Sequence, residues 1–483
     1  MKEGIFYITT TLPYVNAEPH IGFALELVQA DSMARFRRAQ GDEVFFNTGT
    51  DEHGLKIYRK AQEAGKDPQT YVDELSQRFK ELNRALNLSD ANFIKTTDPN
   101  HIQAAQEFWK LCEQNGDIEK KLYETKYCVG CELEKTDSEL VDGRCPLHPN
   151  LEIEVIKEEN YFFKFSKYQD RLLELYQERP DFVVPESRLK EIKNFIQKGL
   201  NDFSISRLKE KMPWGVPVPG DEDHVMYVWF DALVNYISAA GWPEDKEKFA
   251  KWWPVVQVAG KDQTRQQAAM WQAMLMSAGL APSKKIFIHG FVTADGQKMS
   301  KSLGNVIDPF ALVEKYGSDT LRYYLLRDIA SDEDGDFSEE RLRERYQADL
   351  ANGLGNFASR VSTLAEKTES FDGLEADMEI KDRIEETVRQ AAVSAERFKL
   401  HESVASIWKL ISFGDGYVNE HKPWETNNRQ TIFNLVVLLD AVANLVEPIV
   451  PEAAGKIKAV FTMKKGKIAK VRKVENLFPR LDA

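Results

Sequence analysis

The stretch Lys298-Met299-Ser300-Lys301-Ser302 places two ammonium groups three positions apart, with small hydroxyl residues beside them. Gly296 before it and Gly304 after it mark a loop rather than a helix face. Paired cations on such a loop suit a polyanion whose charge rises during reaction, as in displacement at phosphorus. A lysine pair alone is usually a solvated turn, but a second segment near the N-terminus complements this one. It runs Thr11-Leu12-Pro13-Tyr14-Val15-Asn16-Ala17-Glu18-Pro19-His20-Ile21-Gly22-Phe23. The apolar run 5–8 before it reads as a buried strand, Pro13 and Pro19 punctuate a loop, and helical periodicity follows from Gly22 to Arg38. A strand, a loop and a helix start together aim backbone N–H groups and a helix dipole at phosphates. His20, at the mouth of that helix, can donate to a phosphate oxygen, and Gly22 lets a nucleotide approach the backbone.

Three further constellations carry chemistry. Cys128-Val-Gly-Cys131 and Cys145-Pro-Leu-His148 set two soft ligands on each of two tight turns, which closes a tetrahedral site suited to zinc. Four protein ligands make that site structural, one per chain, and Cys112 on a helical run reads as core. Asp51, in Gly49-Thr50-Asp51-Glu52-His53-Gly54 at the end of a predicted strand, can pair with an ammonium group. Trp229 and Tyr236, at helical spacing in 227–236, form an aromatic stripe, which by itself is more often core than pocket. Farther on, Asn356 and Arg360 share one helix face, and Lys422-Pro423-Trp424 presents an indole on a rigid turn. Hydrogen-bonding edges beside a stacking platform are what unpaired RNA bases require.

In their order and spacing the first two segments resemble the HIGH and KMSKS pair of class I aminoacyl-tRNA synthetases. The likeness extends over nearly the whole chain, to the methionyl-tRNA synthetase family. It implies ATP-dependent activation of L-methionine to methionyl-adenylate, followed by transfer to the 3′ end of tRNA(Met). It implies catalytic roles for His20, Lys298 and Lys301, with Gly22, Phe23, Asp262, Met299, Ser300 and Ser302 completing the ATP grip. The methionine pocket would take Leu12, Tyr14, Asp51, Trp229, Ala232, Tyr236, Gln263 and Gln267, and the zinc knuckle would lie in a connective insertion. Asn356, Arg360 and Trp424 match residues that read the CAU anticodon. Magnesium accompanies ATP on chemical grounds, with no ligand residue to name.

Two departures stand out. Phe23 occupies the fourth position of HIGH, and Gln263 and Gln267 stand where the family often has an aliphatic residue and a histidine. One imidazole donor is thereby lost near ATP, and a lost transition-state donor can cost about 3 kcal/mol unless compensated. Rival readings are another class I synthetase or a non-catalytic tRNA-binding paralogue. The insertion is too short for the editing unit of the leucine, isoleucine or valine enzymes, and the knuckle is not placed as in the cysteine enzyme. Both lysines are retained, against the non-catalytic reading.

These groups need a scaffold. At 483 residues, about three domains are expected. Residues 1–115 alternate strand and helix as the first half of a doubly wound α/β sheet, with strands at 5–8 and 44–47 and helices near 24–39 and 70–87. A cysteine-containing insertion with short strands such as 160–165 occupies 116–225. The α/β pattern resumes over 226–344 with strands at 226–230, 255–259 and 286–289. Residues 345–483 read as an α-helical bundle. No eighteen-residue apolar run occurs, so no membrane span is expected. Four cysteines without a disulfide pattern indicate a reducing, cytoplasmic setting, and a monomer is expected. The net charge of −13 opposes nucleic acid binding as a whole, although Lys464, Lys465, Lys467, Lys470, Arg472 and Lys473 form a basic cluster.

Overall fold

The structure, a computed structural model, describes residues 4–480 except 132, 136, 295, 300–304, 465 and 466. Its centre is a six-stranded, wholly parallel sheet in the order Asn92–Lys95, Glu43–Thr50, Ile5–Thr10, Val256–Gly260, Lys285–His289, Val183–Val184. Helices cover both faces, so Phe6 through Thr10 are all buried rather than alternating. The first three strands build outward from Ile5–Thr10. The chain then returns to place Val256–Gly260 on that strand's other side, with Thr10 beside Val258. Strand order reverses there, and the carboxyl ends of these two strands open the crevice where doubly wound sheets bind ligands.

The Ile21–Ala39 helix starts at a His20 cap and ends with Arg37 and Arg38 opposite its dipole. It buries Ala24, Leu25, Val28, Met33 and Ala34 against the sheet. Two elements differ from the sequence expectation. Strand pairing near 160–165 begins earlier, at Glu154, and forms a long antiparallel ladder with Ile118–Cys128 whose tip carries the cysteine turns. The apolar run 226–230 is not a strand. Pairing stops at Met226 in a small antiparallel sheet, and Val228–Leu233 is helical. A short apolar run fits either period. Here Val228, Phe230 and Leu233 are all buried by packing on a helix, an outcome set by tertiary contacts.

Beyond residue 345 helices dominate: Asn356–Glu366, Met378–Glu396, Leu400–His421, Arg429–Val446 and Pro451–Lys458, closed by a hairpin of Phe461–Lys464 and Lys467–Val471. By length and composition Arg429–Val446 could cross a membrane. Its apolar side chains Leu435, Val436, Leu438, Leu439 and Val442 are instead fully buried in this bundle.

Candidate active site

A cavity of about 370 Å³ opens at the crevice. Leu12, Tyr14, Asp51, Trp229, Ala232, Tyr236, Gln263 and Gln267 all line it, as do His20, Gly22, Phe23, Asp262 and Met299. Residues more than two hundred positions apart in sequence thus line one cavity. Lys298 pairs through its backbone with Thr293 in a short hairpin beside this cavity. Ser300, Lys301 and Ser302 lie outside the described residues.

At the His20 end, the Gly22 N–H donates to His20 Nδ1 at 3.1 Å. In the neutral ring that bond assigns the proton to Nε2, which makes it the donor. A Cβ on Gly22 would sit 2.9 Å from His20 Cε1, so the cap requires glycine. Phe23 stacks on His20 with centroids 4.3 Å apart, and its ring meets the edge of Phe79 at 5.5 Å.

Two residues absent from the sequence reading complete this end. The Thr11 backbone N–H and hydroxyl both donate to Glu26 Oε1 at 2.6 Å, and His289 Nε2 lies 3.0 Å from Oε2. His289 Nδ1 donates to the Gly290 carbonyl at 2.7 Å. Both ring nitrogens therefore face acceptors. Burial alone would lower the His289 pKa, but the hydrogen bond and charge of Glu26 outweigh it and the pKa rises. One sequence signal pointed here: His289 ends a strand at the sheet's carboxyl edge.

At the other end, the Asp51 N–H donates to the Pro13 carbonyl and the Val15 N–H donates back to Asp51. The Tyr14 loop and the Asp51 segment are thus locked side by side. Behind them, buried Asp231 faces His53 Nδ1 at 2.6 Å and His101 Nε2 at 2.9 Å. Burial would raise its pKa, yet the two histidines hold it at about 2. Asp231 adjoins the wall residue Ala232, so it ties the Asp51 segment to the aromatic wall.

A buried amide relay fixes Gln267. The Ser283 hydroxyl donates to Gln257 Oε1 at 2.6 Å, and Gln257 Nε2 donates to Gln267 Oε1 at 2.6 Å. With its oxygen committed, Gln267 presents its NH₂ as a donor where its amide meets the Tyr236 hydroxyl. Burial pushes that hydroxyl well above the ordinary tyrosine range.

Cys128, Cys131, Cys145 and His148 converge, with all ligand atoms within 4.8 Å of one another. Cys131 Sγ is 3.4 Å from Cys145 Sγ and 3.2 Å from His148 Nδ1, while Cys128 Sγ is 3.7 Å from His148 Nδ1. Tetrahedral zinc with bonds of about 2.1–2.3 Å implies ligand separations of about 3.4–3.8 Å. These separations fall within or just below that range, so the donor set fits with little adjustment. A Cβ on Gly130 would strike the His148 ring at 2.5 Å. The knuckle is not remote. Gly130 and Cys131 line the cavity, and Tyr127 and Val129 pack with Tyr227, Val228, Ala232 and Trp229 of its wall.

In the helical part, Arg360 and Trp424 come together with the guanidinium 5.7 Å from the indole centroid. Arg360 also donates to Asn419 at 2.7 Å and lies 3.4 Å from Asp415. Trp424 is 48% exposed and Asn356 is exposed on the same helix as Arg360. Lys422 caps a one-turn helix, Pro423–Thr426, that carries Trp424.

The family profile described as tRNA synthetases class I (M) matches residues 6–152 and 149–362. The chain therefore belongs to the class I aminoacyl-tRNA synthetases. It is 43% identical over 474 residues to the methionine–tRNA ligase of Thermotoga maritima, covering 94% of this chain and 74% of that protein. The methionine–tRNA ligase of Synechocystis sp. is 42% identical over 473 residues, covering 94% and 88%. The solved Mycobacterium tuberculosis methionyl-tRNA synthetase in complex with methionyl-adenylate matches at TM-score 0.92 and 36% identity, covering 99% of each chain. Its apo form matches at 0.87 and 32%, covering 100% and 99%. Within the class, the chain is a member of the methionyl-tRNA synthetase family.

Proposed function

We propose that this chain is a methionine–tRNA ligase that activates L-methionine with ATP and charges tRNA(Met). The observation that carries this reading is one cavity holding an ammonium partner (Asp51), an aromatic wall (Trp229, Tyr236), a phosphate donor (His20) and a hydroxyl partner (Asp262). Asp51 binds the α-ammonium and turns the methionine carboxylate toward the α-phosphorus of ATP. Leu12, Tyr14, Trp229, Ala232, Tyr236, Gln263 and Gln267 surround the thioether, with Gln267 as an oriented donor. Asp262 takes the ribose hydroxyls, and Gly22 and Met299 border the nucleotide. A carboxylate oxygen attacks the α-phosphorus and pyrophosphate leaves. His20 Nε2–H, Lys298 and Lys301, with Ser300 and Ser302 on the same loop, meet the charge that develops on the phosphate oxygens. In the second step a hydroxyl of the terminal tRNA ribose attacks the acyl carbon and AMP leaves.

Asn356, Arg360 and Trp424 read the anticodon. Cys128, Cys131, Cys145 and His148 hold one zinc ion, which supplies a cross-link, and magnesium enters with ATP. Residues 1–115 and 226–344 supply the catalytic halves, 116–225 the connective insertion and 345–483 the anticodon-binding domain, in a cytoplasmic monomer. The test is amino-acid-dependent ATP–pyrophosphate exchange. Methionine alone should support it. Exchange with a different amino acid, or with none, overturns the reading.

A further inference from the structure

A buried charge pair joins the helical part to the His20 helix. Asp319 and Arg322 lie one turn apart on the Ser318–Arg327 helix. Arg322 is fully buried. Its Nε donates to the Ile449 carbonyl at 3.0 Å and its Nη2 to the Pro448 carbonyl at 2.9 Å, both in the turn that follows the Arg429–Val446 helix. Asp319 accepts from the Glu452 and Ala453 N–H groups at 3.3 and 2.8 Å, the orphan donors at the start of the Pro451–Lys458 helix. One short helix thus gives a cation to the end of one helix and an anion to the start of the next, matching both dipoles. The same guanidinium reaches Asp31 of the Ile21–Ala39 helix at 2.7 Å and the Leu86 carbonyl at 3.2 Å. Asp31 is itself pinned by Arg35 and Ser89. The gripped Arg429–Val446 helix packs on the helices carrying Arg360 and Asn419.

We propose that Asp319 and Arg322 are positioning residues for the tRNA-dependent step, a clamp that makes the helical part and the His20 helix one rigid spacer. The proposal rests on the methionine–tRNA ligase reading. A tRNA held by its anticodon presents its 3′ end to the cavity at an effective concentration set by the stiffness of the protein between the two sites. Stiffness at this joint spares the complex the entropy of orienting the acceptor end. Neither adenylate formation nor charging of an acceptor-arm minihelix draws on that spacer, because neither ligand spans it.

The test compares three rates in Asp319→Asn, which keeps side-chain shape and one acceptor oxygen: methionine-dependent exchange, minihelix charging and full-length tRNA charging. The expected result is a loss of about tenfold in kcat/KM for full-length tRNA, with the other two unchanged. Equal loss in all three marks a merely structural role and overturns the proposal, as does no loss in any. Should Asp319→Asn not fold, Ser318→Ala removes the hydroxyl contact to Glu452 at 3.1 Å and is judged by the same pattern at smaller amplitude. Absence of exchange in the unmodified protein would instead strike the functional reading, and this proposal with it.

Discussion

His20 and Phe23 lie ring on ring, 4.3 Å between centroids and 30° between planes, and both line the cavity. The residue that removes one imidazole donor from the HIGH segment thereby braces the donor that remains. Phe23→Leu keeps apolar volume against Phe79 but loses the stack. Exchange should fall about tenfold through kcat, while the unfolding midpoint shifts little. An unchanged kcat would show that the stack does not orient His20.

On the proposed reading, one donor fewer leaves more of the phosphate charge to Lys298 and Lys301. Lys301→Ala should lower the rate of adenylate formation by about 10²–10³ in stopped-flow measurements, a scale set by single oxyanion donors. Near-normal rates would refute that burden.

The amide relay yields a substrate-specific expectation. Gln267→Leu removes the acceptor of Gln257 Nε2 and the donor at Tyr236. Leaving such a buried group unpaired costs about 1–3 kcal/mol. The KM for methionine should rise about tenfold, with that for ATP unchanged. Equal rises in both would place Gln267 outside the methionine end.

Metal removal should reach the cavity as well as the fold. Chelation of the proposed zinc should free the knuckle turns whose Gly130 and Cys131 form cavity wall. Elemental analysis should give one zinc per chain. The chelated protein should show a lower unfolding midpoint and weaker methionine binding by calorimetry. A midpoint unaffected by chelation would remove the structural role.

Asp415 supplies a pH test. Burial raises its carboxyl to about 6, against the pull of Arg360. A raised carboxyl pKa means the ionised form is the one disfavoured by the fold. Its stabilising contribution is full below the ordinary carboxylate value near 4 and is lost as pH rises through about 6. Below pH 6 the neutral side chain no longer offsets the Arg360 charge. Binding of tRNA should therefore tighten from pH 7 to pH 5.5 in fluorescence titrations, and Asp415→Asn should flatten that dependence.

What the sequence revealed, and what it hid, follows from how each group is held. The four knuckle ligands sit in a short local pattern whose spacing encodes their geometry, so they could be read directly, whereas His20, Asp51, Trp229 and Gln267 stood out only through the family resemblance. Glu26–His289 and Asp231–His53–His101 have no local pattern, because their members meet only through the sheet's crossovers. The strand expected at 226–230 failed for a related reason. Its apolar residues fit both periods, and packing chose the helix.

The strand order also bears on how the chain is made. Ile5–Thr10 leaves the ribosome well before its partner on one side, Val256–Gly260, which follows nearly 250 residues later. At about 5–20 residues per second, that edge waits on the order of ten seconds or more during synthesis. An unpaired apolar strand edge is a template for wrong pairing. The arrangement that places the catalytic crevice between two distant strands therefore leaves an edge of the nascent N-terminal half open to wrong pairing until the later strand is made.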